Sequence, residues 1–402
     1  MPRPRLLPVS VLVAACGCAL LSPAGQAADA PAQPAFRVVH RGAIVLPHSA
    51  SDTKGNDVVI TGLSGITWLG DDRYAAIMDN SDKLLLFSLA LAADGTPQEA
   101  ADLKVLTLAE HHDYEDIAPC PEPLRKRIAA RRTKQGFPDP GRCLLVCEED
   151  TPAIRAISID DGSLLGVIPI PQELASRRPN RGLESLDVEP DGCHIWTANE
   201  EALPADGPAA TVSNGTVVRL VRARVPDPDR KSNEKTRQYA YAVDAPHQFL
   251  RVFSGEPLSG VAALAGLGDG RLLIMERSGC PGLAPFENRI YLVDTGDAAD
   301  VCDVERDLAD RDEAHLQKTL LWEDQLGINL EGLCLGPTLA GGGRSLLSIA
   351  DNGGIGTPNH IVGFVLEDVK SKAPVTIMML GTAAAAAVTF RLMLCQSTRQ
   401  PP

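Results

Sequence analysis

The chain has 402 residues, with 38 basic and 52 acidic side chains and a net charge of −14. That balance argues against nucleic acid or an anionic membrane surface as the main partner, and an anionic substrate would need positive charge supplied locally, for example by carboxylate-held metal ions. With 35 Gly, 31 Pro and only 4% aromatics, the chain is turn-rich but far from a collagen-like or disordered composition.

Arg3 and Arg5 lead into an apolar run, Leu6 to Leu21, interrupted by Pro8 and Ser10. The run is short for a membrane span. Ala28-Asp29-Ala30 follows as an A-x-A cleavage pattern, so residues 1–30 read as an export signal and the mature chain as periplasmic or secreted. Val13-Ala14-Ala15-Cys16 offers a second route, a lipobox that would leave a lipid anchor on Cys16. Beyond the leader lie Cys120, Cys143, Cys147, Cys193, Cys280, Cys302, Cys334 and Cys395. An exported chain meets oxidising conditions. Cys120 and Cys143 frame a basic, Pro-flanked insertion over residues 119–143 that reads as a loop closed by a disulfide. Within it, Arg125 to Lys134 reads as a solvated helical face. No Cys-x-x-Cys occurs and His is scarce, which disfavours a structural zinc site.

Residues 36–369 repeat one pattern five times. Its first part is Leu63-Ser64-Gly65-Ile66, Tyr114-Glu115-Asp116-Ile117, Leu183-Glu184-Ser185-Leu186, Leu258-Ser259-Gly260-Val261 and Leu330-Glu331-Gly332-Leu333. Each copy is followed by an apolar run ending in an acid: Asp79, Glu148, Glu200, Glu276 and Asp351. The spacings from the Glu/Ser position to that acid are 15, 33, 16, 17 and 20, the outlier containing the 119–143 insertion. Each unit holds short strand-like runs bounded by Asp-Gly, Gly-Asp or Pro turns. In the third they are Leu183–Val188, His194–Asn199, Thr216–Ala223 and Gln238–Asp244. Four-strand units at this period predict an all-β fold, a single closed β-propeller of five blades, with six as the alternative. The fifth unit shows only three strands, and Arg37–Val45 can supply its fourth by pairing with Ile361–Val369.

That geometry has a chemical consequence. The start of a blade's first strand and the end of its second share one edge, so the repeat predicts a crown of carboxylates around the channel mouth. Glu115, Glu184 and Glu331 are the candidate catalytic groups. Asp79, Glu148, Glu200, Glu276 and Asp351 are candidate metal ligands, with Asn329 and Asn352 adding neutral oxygens. Such an oxygen-rich set suits a hard divalent cation, Ca²⁺ above all. Arg181 and Arg277 sit inside the motifs, and their planar guanidinium forks match phosphate or carboxylate oxygens. The competing reading is an internal Arg–Glu network that pins blade to blade. His111-His112-Asp113 is a weaker metal candidate.

Lys370 and Lys372 precede an Ala-rich run, Val375 to Phe390, so residues 370–402 read as a tail whose segment 375–395 is at most a weak membrane element.

The motifs together resemble the family described as esterase-like activity of phytase, the phytase-like domain, over about residues 38–369. Carrying the resemblance are Gly62-Leu63-Ser64-Gly65-Ile66 with Met78-Asp79, Tyr114-Glu115-Asp116-Ile117-Ala118, Asn180-Arg181-Gly182-Leu183-Glu184, Glu276-Arg277, Asn329-Leu330-Glu331-Gly332-Leu333 and Asp351-Asn352. It implies an exported propeller rich in acids, with a phosphoester or ester hydrolase role. Ser185 departs from the pattern, where Gly is commoner, as do the insertion and the tail. The expectation is therefore a metal-dependent hydrolase of a small anionic phosphoester, acting as a monomer. The alternatives are a non-catalytic Ca²⁺-binding propeller and a lactonase-like carboxylic esterase.

Overall fold

Short antiparallel strands with few helices can bury their apolar faces only by stacking sheet on sheet. In the computed structural model, residues 35–226, 235–247, 258–280, 283–324, 327–351 and 358–369 are described, and they form five sheets in a ring, a β-propeller. After β1 (Phe36–Val45), blade 1 comprises β2 (Ser49–Asp52), β3 (Asp57–Val59), β4 (Leu63–Gly70), β5 (Arg73–Met78), β6 (Ser81–Leu91) and β7 (Pro97–His112). Blade 2 comprises β8 (Tyr114–Pro119), the helix α1 (Glu122–Lys134), β9 (Cys143–Glu148), β10 (Ala153–Ser158) and β11 (Leu164–Ile168). Blade 3 comprises β12 (Leu183–Val188), β13 (His194–Asn199), β14 (Val217–Arg224) and β15 (Arg237–Ala242). Blade 4 comprises β16 (Leu258–Gly266), β17 (Arg271–Cys280), β18 (Leu283–Asp294) and β19 (Lys318–Asp324). Blade 5 comprises β20 (Asn329–Thr338), β21 (Arg344–Asp351) and β22 (His360–Asp368).

The fifth blade takes its fourth strand from the other end of the chain: β1 pairs antiparallel with β22 from Phe36↔Asp368 to Val45↔His360. The long units do not hide a sixth blade. Their extra residues form the β2–β3 hairpin on the outside of blade 1, α1 in blade 2, and loops.

Neighbouring blades bury their side chains against one another. Tyr114 and Ile117 pack with Ala75 and Ile77 between blades 1 and 2. Leu145 and Leu186 meet between blades 2 and 3, Trp196 and Ile274 between blades 3 and 4, and Met275 and Leu346 between blades 4 and 5. Leu347 and Ile349 of blade 5 pack on Ile66 and Met78 of blade 1. The inner strands β4, β8, β12, β16 and β20 pass close enough to leave no room for some side chains. A Cβ on Gly332 would lie 2.8 Å from the Ser64 carbonyl oxygen, so this motif position must be glycine in blade 5. Two acids stitch inner strands together. Asp116 accepts the Leu186 amide (2.8 Å) and Asp187 accepts the Gly266 amide (2.5 Å).

The cysteines correct one expectation. Cys120, Cys143, Cys147, Cys193, Cys280, Cys302 and Cys334 are all free thiols, so the Cys120–Cys143 disulfide is not formed. The two thiols instead share a hydrogen bond, which together with burial pushes the Cys120 thiol far up. Buried Leu124 and Ala129 hold α1 down by packing. The leader with Cys16, the tail 370–402 with Cys395, and Asn352 lie outside the described residues. Among those described, no helix is long and apolar enough to cross a membrane.

Candidate functional site

At the start of three inner strands the backbone makes the same clasp. The amides of Asp79, Glu149 and Glu200 donate to the carbonyls of Gly62, Asp113 and Gly182, at 2.6, 2.8 and 2.9 Å. Each clasp lies one step beyond a cross-strand pair: Leu63↔Met78, Tyr114↔Glu148 and Leu183↔Asn199. The residue just past the second strand therefore turns over the channel mouth. Gly62 shows how tight the turn is. It has φ +60°, and a Cβ there would collide with the Asp79 carboxylate.

The resulting pocket, about 190 Å³, is lined by Ser64, Asp79, Asn80, Asp113, Glu115, Glu149, Asn180, Arg181, Glu184, Glu200, Arg277, Glu331 and Asp351. The structure thus brings together Glu115, Glu184, Glu331, Asp79, Glu200, Asp351, Arg181 and Arg277 as the repeat predicts. Asn329 stands beside it, its Nδ2 donating to Glu331 Oε1 at 2.5 Å.

Glu148 and Glu276 are not in the pocket. The clasp shows that Glu149, not Glu148, is the partner of Asp79 and Glu200, so the sequence register slips by one residue in blade 2. A one-residue shift turns a strand side chain to the other face. Glu148 accordingly points into the blade, fully buried, with Arg155 Nη2 at 2.6 Å and His112 Nδ1 at 2.8 Å. In blade 4, β17 runs on to Cys280 and the register shift falls between Val261 and Ala263. Arg277 therefore takes the inward place. Glu276 faces the blade 3–4 interface, bound by Tyr241 Oη and Lys318 Nζ, both at 2.6 Å. Asp113 and Glu149 are the acids of the pocket that the repeat misses. The doublet Glu148-Glu149 left two registers open, and Asp113 occupies the position held by Gly62 and Gly182 in the other blades.

The crown divides electrically into two halves. On one side Arg277, buried, pairs with Glu331 through Nη1, with Glu200 through Nη2 at 2.7 Å, and lies 3.8 Å from Glu184. Burial opposes its charge, but Glu331, Glu200 and Glu184 outweigh that and hold the guanidinium firmly protonated. Arg181, more exposed, reaches Glu200 Oε2 at 3.0 Å. This half realises the blade-pinning network, joining blades 3, 4 and 5.

The other half holds Asp79, Asp113, Glu115, Glu149 and Asp351, and among the described residues none of the five forms an ion pair. Their partners are neutral: Ser64 Oγ donates to Glu115 at 2.7 Å, the Asn80 amide to Asp113 at 3.2 Å, and the Gly182 amide to Glu149 at 2.5 Å. Asp351 Oδ1 is buried with no hydrogen-bond partner among the described residues. Ligand oxygens of Asp113, Glu115 and Glu149 lie within 4.8 Å of one another, close enough to share one ion. Burial, then the neighbouring acids Asp351 and Asp113, pushes Asp79 up to about 6. Burial raises Glu149 to about 7 against its Gly182 hydrogen bond. Glu115 and Glu184 are pushed well above the carboxylate range, chiefly by burial. Burial lifts Glu331 to about 8 despite Arg277. An oxygen-only donor set with an orphaned carboxylate oxygen fits a hard divalent cation. Glu189, Asp191 and His194 form a second compact group at the β12–β13 turn, but Glu189 is already bound by Arg222 at 2.7 Å and by the Trp196 indole at 3.0 Å.

The family model described as Phytase-like, esterase-like activity of phytase, matches residues 59–354. The chain belongs to this family. Membership suggests a hydrolase-type activity, and the acidic groups are able to bind metal. No curated protein matches the chain. Among solved structures it is similar to the Cps50 (Swd1) β-propeller domain of Myceliophteria thermophila, at 8% identity and TM-score 0.35, covering 81% of this chain and 99% of that one. It is similar to a PQQ-bound aldose sugar dehydrogenase of Streptomyces coelicolor, at 12% identity and TM-score 0.35, covering 84% and 100%. It is also similar to the hydrazine synthase of Kuenenia stuttgartiensis, at 10% identity and TM-score 0.32, covering 73% of this chain but only 57% of that chain. The fold assignment rests on the strand order and the interblade packing.

Proposed function

We propose that the chain is a divalent-cation-dependent hydrolase of small phosphoesters, with its site in the carboxylate crown. The observation that carries this reading is the division of the crown: one half is paired with Arg277, and the other leaves five clustered acids with no cation of their own among the described residues. Asp113, Glu115 and Glu149 would hold the ion, Ca²⁺ being the first candidate, with Asp79 and Asp351 in reach of it or of its waters. When bound, it supplies charge neutralisation for an anionic substrate and lowers the pKa of an attached water.

The protein's own groups do the rest. Arg181, on the rim, orients the anionic group of the substrate. Glu184 stands between the halves, raised by burial, by Glu115 on one side and by Glu200 and Glu331 on the other. These influences favour its protonated form, which can deliver a proton to a leaving oxygen. Glu331 is fixed by Arg277 and Asn329 and sets the shape of the wall. At 190 Å³ the pocket is below the roughly 300–1,000 Å³ of sites for drug-sized ligands, and suits a single phosphoryl group. The leader read in residues 1–30 would place this chemistry on the exported side.

A second reading, a non-catalytic cation-binding propeller, is favoured by the Arg277 network, because half of the crown serves to pin blades. One screen separates the two. Purified protein is assayed on phosphomonoester, phosphodiester, phytate and lactone substrates, with Ca²⁺ and with chelator. Cation-dependent phosphoester turnover is expected. No turnover on any substrate would support the binding module, and turnover of the lactone alone would overturn the phosphoester assignment.

A further inference from the structure

The most basic segment of this acidic chain is α1, and nothing in the crown uses it. The helix carries Arg125, Lys126, Arg127, Arg131, Arg132 and Lys134 against a single acid, Glu122, in a chain of net charge −14. It lies along blade 2 and leaves a groove of about 780 Å³ between itself and β11. Lys126, Arg127, Arg131 and Lys134 line the helix wall. The opposite wall is Leu165–Ile168 of β11, continued by Pro169 and backed by Ala156 of β10, and the floor includes Leu124 and Val225.

Two features of that strand wall point to the occupant. First, β11 is the outermost strand of its sheet, in the order β11-β10-β9-β8, and among the described residues it pairs only with β10. Its outer backbone groups therefore form an open template for another strand. Second, among the described residues the middle of that strand is not packed over: a Cβ added at Gly166 would meet nothing within 4 Å, and Val167 is 47% exposed. A strand edge facing a row of cations fits an extended chain with acidic side chains, main-chain pairing giving affinity and the cations giving selectivity. The helix offers no outward apolar stripe for a lipid surface, since its buried residues are Leu124 and Ala129. The chain's own ends carry the wrong charge. Residues 1–34 hold Arg3 and Arg5 against Asp29, and residues 370–402 hold Lys370, Lys372, Arg391 and Arg399 with no acid.

We propose that the groove between α1 and the free edge of β11 captures an extended acidic segment of a partner protein, which adds to blade 2 as a further strand. The site is independent of the crown and of the function assigned to it.

The test uses the full chain and a fluorescent octapeptide of alternating Glu and Val, followed by anisotropy. Saturable binding tighter than about 1 mM is expected. Three comparisons decide. The double variant Lys126→Glu/Arg131→Glu, both residues exposed, should weaken binding roughly tenfold or more while leaving the melting curve in place. The same peptide with alternate backbone amides N-methylated keeps every charge and side chain but cannot pair along one edge, and should also bind at least roughly tenfold more weakly. Inorganic phosphate should displace no more peptide than chloride at equal ionic strength. Equal binding of the N-methylated peptide would overturn strand addition, whatever the charge variant shows. Full displacement by phosphate would make the groove a small-anion site. A dimer in sedimentation, lost in the charge variant, would assign the surface to a second copy. Each of these results contradicts the proposal, as does no binding at all.

Discussion

Replacing Arg277 with Met removes the one cation that three buried carboxylates share. Arg277 is in ion-pair contact with Glu331 and Glu200 and stands 3.8 Å from Glu184, with all four side chains at most 12% exposed. Met keeps much of the volume and the apolar stem but leaves Glu331 and Glu184 uncompensated and Glu200 with Arg181 alone. Breaking a buried ionic cluster from one side costs about 3–5 kcal/mol, a fall of roughly 5–10 °C in melting temperature for a domain of this size. The deficit should depend on pH with a defined sign. Burial already lifts Glu331 to about 8, and Arg277 is the group that opposes the rise. Without it Glu331 and Glu184 bind protons still more tightly in the folded state than in the unfolded chain. Such groups cost stability as pH rises from the unfolded value near 4.5 through the folded value, and cost little below it. Because Glu331 already sits at about 8 in the parent, the extra deficit opens above that value, so urea and thermal melts at pH 7 and pH 10 would show the smaller deficit at pH 7 and the larger one at pH 10. Equal stability of variant and parent at pH 10, or the same deficit at both pH values, would refute the assignment of Arg277 as the electrostatic centre of that half.

Four further outcomes follow from the crown. The metal-free parent should itself lose stability between about pH 5 and 8, because Asp79 at about 6 and Glu149 at about 7 are raised in the folded state, and a bound cation should flatten that slope. Adding a divalent cation at a hundredfold excess over its Kd should stabilise by about 2.7 kcal/mol, reversed by EDTA; identical melts with and without chelator would rule the cation out. Asp113→Asn with Glu149→Gln should abolish cation binding by calorimetry, whereas Glu148→Gln should leave it intact and destabilise by about 1–3 kcal/mol through the Arg155 and His112 contacts. Glu184→Gln should lower turnover roughly a hundredfold with little change in melting, and full activity in that variant would remove it from the proton-delivering role.

The architecture was legible because it rests on local signals that repeat. The motif of an apolar residue, Glu or Ser, a small or acidic residue and an aliphatic, with its turns, marks the inner strands, and the unpaired run near residue 37 finds its place against β22 because the fifth unit lacks a strand. Much of the crown was legible for the same reason. What escaped was register. In blade 2 two adjacent acids compete for one place, and only the Glu149-to-Asp113 backbone clasp tells which faces the channel. In blade 4 a shifted bulge exchanges the roles of Glu276 and Arg277, and periodicity carries no information about where a bulge falls. The Cys120–Cys143 bridge failed differently: the sequence brought the two thiols together correctly, but neighbouring thiols are not a bond, and the packing of Leu124 and Ala129 closes the insertion without one.

The central claim is that one half of the crown is a cation site and the other half is not. Anomalous diffraction from crystals grown with Mn²⁺ tests it directly. The account predicts a peak between the carboxylates of Asp113, Glu115 and Glu149, on the side of the channel away from Arg277. A crown with no peak, or a peak only at Glu189, Asp191 and His194, would contradict it.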